Sequence, residues 1–432
     1  MRVMTLALIG SLLVSIPGPA GSVWAQEQGS TLVLPLLLEE VRRVNPDLAA
    51  ARKRVEAAQA RIPQTAGLPP PRIGVEFEEI PSGTVKLNRA TTMYQLIQSL
   101  PFLGKLSAKK RVAVAEAQMI AADYKRMEWD ILTRLKTVYY DLYLLDREME
   151  IQQEQLVWLR RSEATAEAGY AAGTSSHMDL LQAQSDLLEA ATQVEVLRQR
   201  RLAMAAHLNH LMNRPIHDPV GPVSEPEFIP VPSDPEALFL QAVENQPDLQ
   251  VFKYSAERSE AEWKLAKREL LPDLESMLEL RNPAMGPIGP WDLTLALTLP
   301  FWFWTKERYG VRVALKDKES AQEAYTAVRN AVARRIHEHW HEARAEYETA
   351  LLFRDGLIPK ARQAVESALS GYQGGQVSYG DLLGSIRMLN ERRRSYYQSL
   401  VHLEQRISML EEAVGVPLRP QHRQTAEEGE SP

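Results

Sequence analysis

Three histidines fall within five residues, in the run His337-Glu338-His339-Trp340-His341. On a helix, His337 and His341 share one face, and two imidazoles at that spacing can hold a soft or borderline metal ion. His339 points elsewhere. A polar helix face with scattered histidines explains the same residues, and it is the reading the sequence favours. Carboxylates are paired throughout, but at spacings suited to ion pairs on helix surfaces. Neither a phosphate-cradling Gly-x-x-x-x-Gly-Lys-Ser/Thr nor a Gly-x-Ser-x-Gly nucleophile turn occurs. Cysteine is absent, which removes disulfides, thiolate metal sites, a cysteine nucleophile and cysteine-borne lipid. An enzyme is not expected, and no catalytic residue or cofactor is assigned.

The elements that position these residues are organised as a duplication. Pro46-Asp47-Leu48 recurs as Pro247-Asp248-Leu249, and Leu100-Pro101-Phe102 as Leu299-Pro300-Phe301. Gly169-Tyr170-x-x-Gly173 recurs as Gly371-Tyr372-x-x-Gly375, followed in both copies by Ser, Asp, Leu and Leu at matching places. Two long copies are a duplication, not a solenoid of many short units. The expected layout is a signal peptide over 1–25, a first repeat over 26–218, a Pro-rich connector over 219–234, a second repeat over 235–417 and a disordered tail over 418–432. Met1 to Ala25 has a positive start, an apolar run too short to span a bilayer and a Val23-Trp24-Ala25 cleavage site.

Each half opens with a helix, 36–62 and 235–270, the second begun by Asp234 as cap before Pro235. Short stretches of period two follow. Ile73, Val75 and Phe77 alternate with polar residues, and 91–100 is their partner. Leu274, Leu278 and Leu280, then Leu293, Leu295, Leu297 and Leu299, repeat the pattern. Next come very long helices: between Gly104 and Gly169 there is neither Gly nor Pro. That stretch would extend roughly 96 Å as a helix. Further long helices are expected over 174–214, 306–370 and 377–414, with Pro359 kinking the second of these. The fold class is therefore mainly α with a small β part: long coiled-coil hairpins plus four strands. Four strands cannot close a barrel. Two copies give eight strands and a filled interior. Three give twelve and an open lumen, so a trimer is the smallest open solution.

With 432 residues, 45% apolar, 25% charged and a net charge of −6, the chain is that of a folded protein unsuited to nucleic acid. No mature stretch reaches 18 consecutive apolar residues, so any membrane passage must be by β-strands.

The duplicated Leu-Pro-Phe, the duplicated Gly-Tyr-x-x-Gly-x-x-Ser-x-x-Asp-Leu-Leu and Asn45-Pro46-Asp47-Leu48 together resemble the TolC family of outer-membrane efflux proteins, across essentially the whole mature length. Leu100 to Lys105, with Lys109, Lys110 and Arg111, resembles its CzcC-like branch, which serves heavy-metal pumps of the RND class. The resemblance implies a homotrimer with a twelve-stranded barrel in the outer membrane and a helical tunnel through the periplasm. It implies a passive exit duct that docks a periplasmic adaptor and an inner-membrane RND-type pump. A drug, metabolite or type I secretion duct of the same fold is the alternative. A soluble periplasmic adaptor or coiled-coil scaffold is a second.

The resemblance also assigns roles. Gly173, Thr174, Gly375 and Gln376 are implied as adaptor-docking tips, although turns that need glycine would look the same. Asp381, with Asp179, is implied as a gate whose rings of three carboxylates favour cations. Ordinary helix-start aspartates are the competing reading. Tyr372 matches a latch tyrosine able to reach Asp179, while Val377 stands where the family has a latching arginine. Phe301-Trp302-Phe303-Trp304 follows the last strand, and Trp302 and Trp304 are expected at the membrane interface, against outer-membrane lipid.

Overall fold

The computed structural model describes residues 31–78, 80, 90–173, 176–231, 234–282, 289, 291–299, 301, 304–374 and 376–419. The signal segment, residues 420–432 and most of both hairpin loops lie outside them.

The first half runs α1 (Leu34–Val44), α2 (Pro46–Ala66), β1 (Arg72–Glu78), β2 (Thr91–Leu100), α3 (Lys105–Ala171) and α4 (His177–Leu211). The second runs α5 (Pro235–Asn245), α6 (Pro247–Glu269), β3 (Asp273–Asn282), β4 (Trp291–Thr298), α7 (Glu307–Leu351), α8 (Ile358–Gln373) and α9 (Tyr379–Val414). No described helix is long and apolar enough to cross a membrane.

The single opening helix expected in each half is in fact two. Both break at the residue before proline, where the ring disfavours the helical backbone. Asn45 and Gln246 are extended there, with ψ of 124° and 122°. Each then caps the next helix: Asn45 accepts from the N–H groups of Asp47 and Leu48, and Gln246 from that of Leu249. Both caps are buried, as are Leu48 and Leu249. The duplicated Pro-Asp-Leu is thus a helix break that buries its leucine. Helix α2 also runs four residues beyond its expected end at Ile62, through Pro63.

Pro359 acts as expected. It lies in the first turn of α8, directly after a π-helical turn over Leu352–Leu357. The wider turn accommodates the missing proline N–H and the clash its ring would cause.

The four strands form one antiparallel sheet in the order β1-β2-β3-β4. The two hairpins expected from sequence are joined by pairing between the halves, with Tyr94 opposite Leu280 and Leu96 opposite Leu278. Register places Ile73, Leu96, Leu278 and Leu293 in one row across the apolar face. The opposite face is mostly polar, with Met93, Ile97 and Met277 among its carboxylates and amides. Below the sheet, two apolar cores fill the helical body. One gathers Val41, Leu135, Leu142, Tyr143 and Leu208; the other gathers Ala242, Val332, Ile336, Leu403 and Leu410. The connector packs on the chain start through a bridge of Leu32 with Val223. Leu418 and Arg419, expected in the loose tail, are pinned: both backbone N–H groups bond to buried Glu411.

Candidate functional site

The far ends of the two long hairpins carry most of the candidate residues. Helix α3 ends in a tight turn at Gly173, whose φ of 72° is left-handed. Its N–H bonds to the carbonyl of Tyr170 at 3.0 Å. A side chain there would find open space but a strained backbone. Thr174 lies outside the described residues. Ser176 then caps α4: its Oγ accepts from the Asp179 N–H at 3.1 Å, and Asp179 Oδ2 accepts from the Ser176 N–H at 3.1 Å. This reciprocal box satisfies two orphan donors of the helix start.

The second tip is built alike. Gly375 lies outside the described residues. The Gln376 N–H bonds to the Gly371 carbonyl at 2.8 Å, so this residue closes the turn by its backbone. Ser378 Oγ accepts from the Asp381 N–H at 3.2 Å and donates to Asp381 Oδ2 at 2.6 Å. Asp179 and Asp381 are therefore exposed helix-start residues, each engaged with its own cap. Tyr372 packs on Tyr379 with ring centroids 6.2 Å apart. The equivalent pair in the first tip is Tyr170 and His177, 5.2 Å apart. Val377 presses on Gly371, where a Cβ would come within 2.5 Å of its Cγ2. In the second copy, the first glycine of the motif is thus favoured by close packing as the hairpin closes.

The tips share one end of the molecule. Leu159 of α3, Ala190 of α4 and Leu383 of α9 form a small core between them. Beside it, Arg387 of α9 donates to Asp186 of α4 at 2.9 Å. Gln182 donates to the same oxygen at 3.0 Å, while Asp186 Oδ2 is buried without a donor among the described residues. Asp186 is only 6% exposed. Sequence reasoning missed this pair, because the two residues are not equivalent positions of the duplication. It also missed an exposed apolar strip on α4 formed by Met178, Leu181 and Leu188.

The histidines lie elsewhere, in the C-terminal third of α7. The rings of His337 and His341 are 6.5 Å apart on one face, as spacing predicts. His337 Nε2 lies 3.2 Å from Glu236 Oε1, and His341 stands edge-on to Trp340. Among the described residues no group of three or more ligand-type side chains converges to hold an ion.

At the opposite end, the sheet exposes its apolar face. Trp291, 66% exposed, begins β4, and Phe301 and Trp304 are exposed below its end. Trp302 lies outside the described residues. Trp291, not singled out from sequence, lies on the apolar face opposite Leu280.

Comparison with known proteins matches this arrangement. Residues 37–214 and 238–416 match the family described as outer membrane efflux protein. The cobalt-zinc-cadmium resistance protein CzcC of Cupriavidus metallidurans is 22% identical over 406 residues, covering 91% of this chain and 92% of that protein. The outer-membrane channel OprN superposes with a TM-score of 0.76 at 18% identity, covering 88% of this chain and 89% of that one. VceC of Vibrio cholerae gives 0.75 at 17% identity, covering 89% and 97%. CusC gives 0.73 at 16%, covering 89% and 92%. With both halves matched and the TolC-like channel fold in place, the chain belongs to the outer membrane efflux protein family, whose members are outer-membrane channels reaching into the periplasm and not enzymes.

Proposed function

We propose that this chain is the outer-membrane exit duct of a tripartite efflux system and conducts heavy-metal cations passively. The carrying observation is the two-faced sheet with open edges. Among the described residues, strands β1 and β4 each pair on one side only. Their directions are opposite, so β4 of one copy can pair antiparallel with β1 of the next, and three copies close twelve strands. The apolar row then faces lipid and the polar face lines the lumen.

That polar face is acidic. Register puts Glu76, Glu78, Asp273, Glu275, Glu279 and Asp292 on it, against Arg72 and Arg281. Arg72 lies 3.7 Å from Glu275, and Lys105 neutralises Asp273 at 2.8 Å. The remaining carboxylates, tripled, would favour cations over anions in a water-filled lumen. Metal as cargo is further supported by the likeness to a cobalt-zinc-cadmium resistance protein.

At the other end, Asp381 and Asp179 would form the gate rings, with Tyr372 packed behind them. Gly173, Thr174, Gly375 and Gln376 would meet the adaptor, helped by exposed Met178 and Leu181. The adaptor in turn couples the duct to an inner-membrane RND-type pump that supplies the energy. The His337 and His341 pair stays, in this reading, an ordinary polar helix face.

The test is a susceptibility panel on a deletion strain with copper, silver, zinc, cobalt, cadmium, nickel and several drugs. Selective sensitivity to metals supports the reading. Sensitivity to organic compounds alone makes the duct a drug or metabolite exporter. A soluble periplasmic monomer on fractionation would sink the duct altogether.

A further inference from the structure

All four junctions between sheet and helices lie at one end of the sheet. Arg72 at the start of β1 pairs with Ile97 near the end of β2, Leu100 pairs with Leu274 near the start of β3, and Asp273 pairs with Thr298 at the end of β4. The helical turns just beyond carry a concentration of cations. Lys110 and Arg111 lie in the opening turns of α3, Lys267 in the last turn of α6, and Lys306, Arg308 and Arg312 at the start of α7. All six are exposed. None forms an ion pair with a described residue, since the salt bridges of this region use Lys105, Lys264 and Lys318 instead. Lys267 rests its ammonium over the Trp263 ring, 3.2 Å from the centroid. Against these cations the same turns hold only Glu269 and Glu307.

Lys267 sits at the favourable, negative end of α6, but the cations of α3 and α7 do not serve the helices that carry them. A helix start is the positive end of its dipole and favours carboxylates. The first turn of α3 has no acidic residue at all. Cations there add to the dipole instead of offsetting it, so their compensation lies outside the chain. Depth says where. The apolar face of the sheet ends at these junctions, and Arg312 lies about 8 Å further along its helix axis from Glu307. The headgroup layer beyond a bilayer's hydrocarbon core is itself about 5–8 Å deep.

We propose that these residues form a basic collar that binds anionic phospholipid headgroups of the periplasmic leaflet, with Trp263 and Trp304 seated beside them. The proposal rests on the reading of the sheet as the membrane-spanning part. The collar would hold the barrel at a fixed depth by charge at its periplasmic edge. Juxtamembrane Lys and Arg add to such binding roughly in proportion to their number.

The test uses the full mature chain, purified in detergent and offered equimolar phosphatidylglycerol and phosphatidylethanolamine, with retained lipid counted by native mass spectrometry. The wild type is expected to prefer phosphatidylglycerol by at least about tenfold, and high salt should weaken this. The variant Lys110→Gln/Arg111→Gln/Arg308→Gln/Arg312→Gln should lose the preference. Arg308→Gln/Arg312→Gln should lose part of it and serves if the fourfold variant fails to fold. Equal retention of the two lipids by the wild type, or a preference unchanged in the variants, would overturn the collar. Conductance in planar bilayers reads the duct separately: a wild type that forms no pore yet prefers phosphatidylglycerol defeats the duct and leaves the collar standing.

Discussion

Arg387 reaches Asp186 across 2.9 Å and so ties α9 of the second repeat to α4 of the first, two turns behind the first hairpin tip. The carboxylate is buried and the arginine half exposed, at 6% and 53% of their side-chain areas. Breaking the pair leaves a buried charge with Gln182 as its donor. Arg387→Met should cost about 1–3 kcal/mol, discounted from a fully buried pair because the arginine is solvated. The double variant Asp186→Asn/Arg387→Met should recover most of it. Hydrogen exchange in α4 checks this: protection unchanged by Arg387→Met would show that the pair does not hold the two helices together.

Gly371 meets Val377 where a Cβ would lie 2.5 Å from Cγ2. Gly371→Ala should therefore loosen the second tip, at about 1–3 kcal/mol for overpacking. Val377→Ala should relieve the clash, so the two changes should couple strongly in a double-mutant cycle. Gly384→Ala, with open space around it, is the control and should be near neutral. Additive effects of Gly371→Ala and Val377→Ala would contradict the contact.

Arg419 donates to Glu404 at 2.7 Å, with Tyr140 on the other carboxylate oxygen. Burial raises the Glu404 pKa, while Arg419 and Tyr140 oppose the shift. A carboxylate whose folded pKa exceeds its unfolded one binds extra protons when folded. Its contribution to stability is present at low pH and lost as pH rises through the folded value. Arg419→Ala removes the main opposition, so the variant should lose about 2–4 kcal/mol near neutral pH and less near pH 5. Urea midpoints at the two pH values decide it, and an equal loss at both would exclude Glu404 as the cause.

Asp381 is exposed at the start of α9, engaged with Ser378. Asp381→Asn keeps an acceptor for the cap, so stability should change by less than about 0.5 kcal/mol. In the proposed trimer the same change removes a ring of three charges. The reconstituted channel should then lose cation selectivity, read as a shift in reversal potential. An unshifted potential would remove Asp381 from the gate.

Much of this molecule is visible in its residues because the signals are local. Period two in Ile73, Val75 and Phe77 marks a strand with one wet face, and that strand is β1. The stretch between Gly104 and Gly169, without Gly or Pro, lies wholly within a helix of 67 residues. Pro359 marked a disturbance and the π turn stands there. The turn at Gly173 was also legible, since a left-handed residue there ends the hairpin's first helix. The breaks before Pro46 and Pro247 had a local signal as well, obscured by good helix formers on either side.

The amino-acid sequence by itself determined the duplication, the element types and the turn positions, because periodicity and backbone preference act within a few residues. Only the tertiary structure decided that β2 pairs with β3 across the two halves, that Asp186 finds Arg387 and that Gly371 must yield to Val377. It also gathered the cations of α3, α6 and α7 beneath one sheet edge. Such relations join segments far apart in the chain, and they arise from packing geometry that no local pattern encodes.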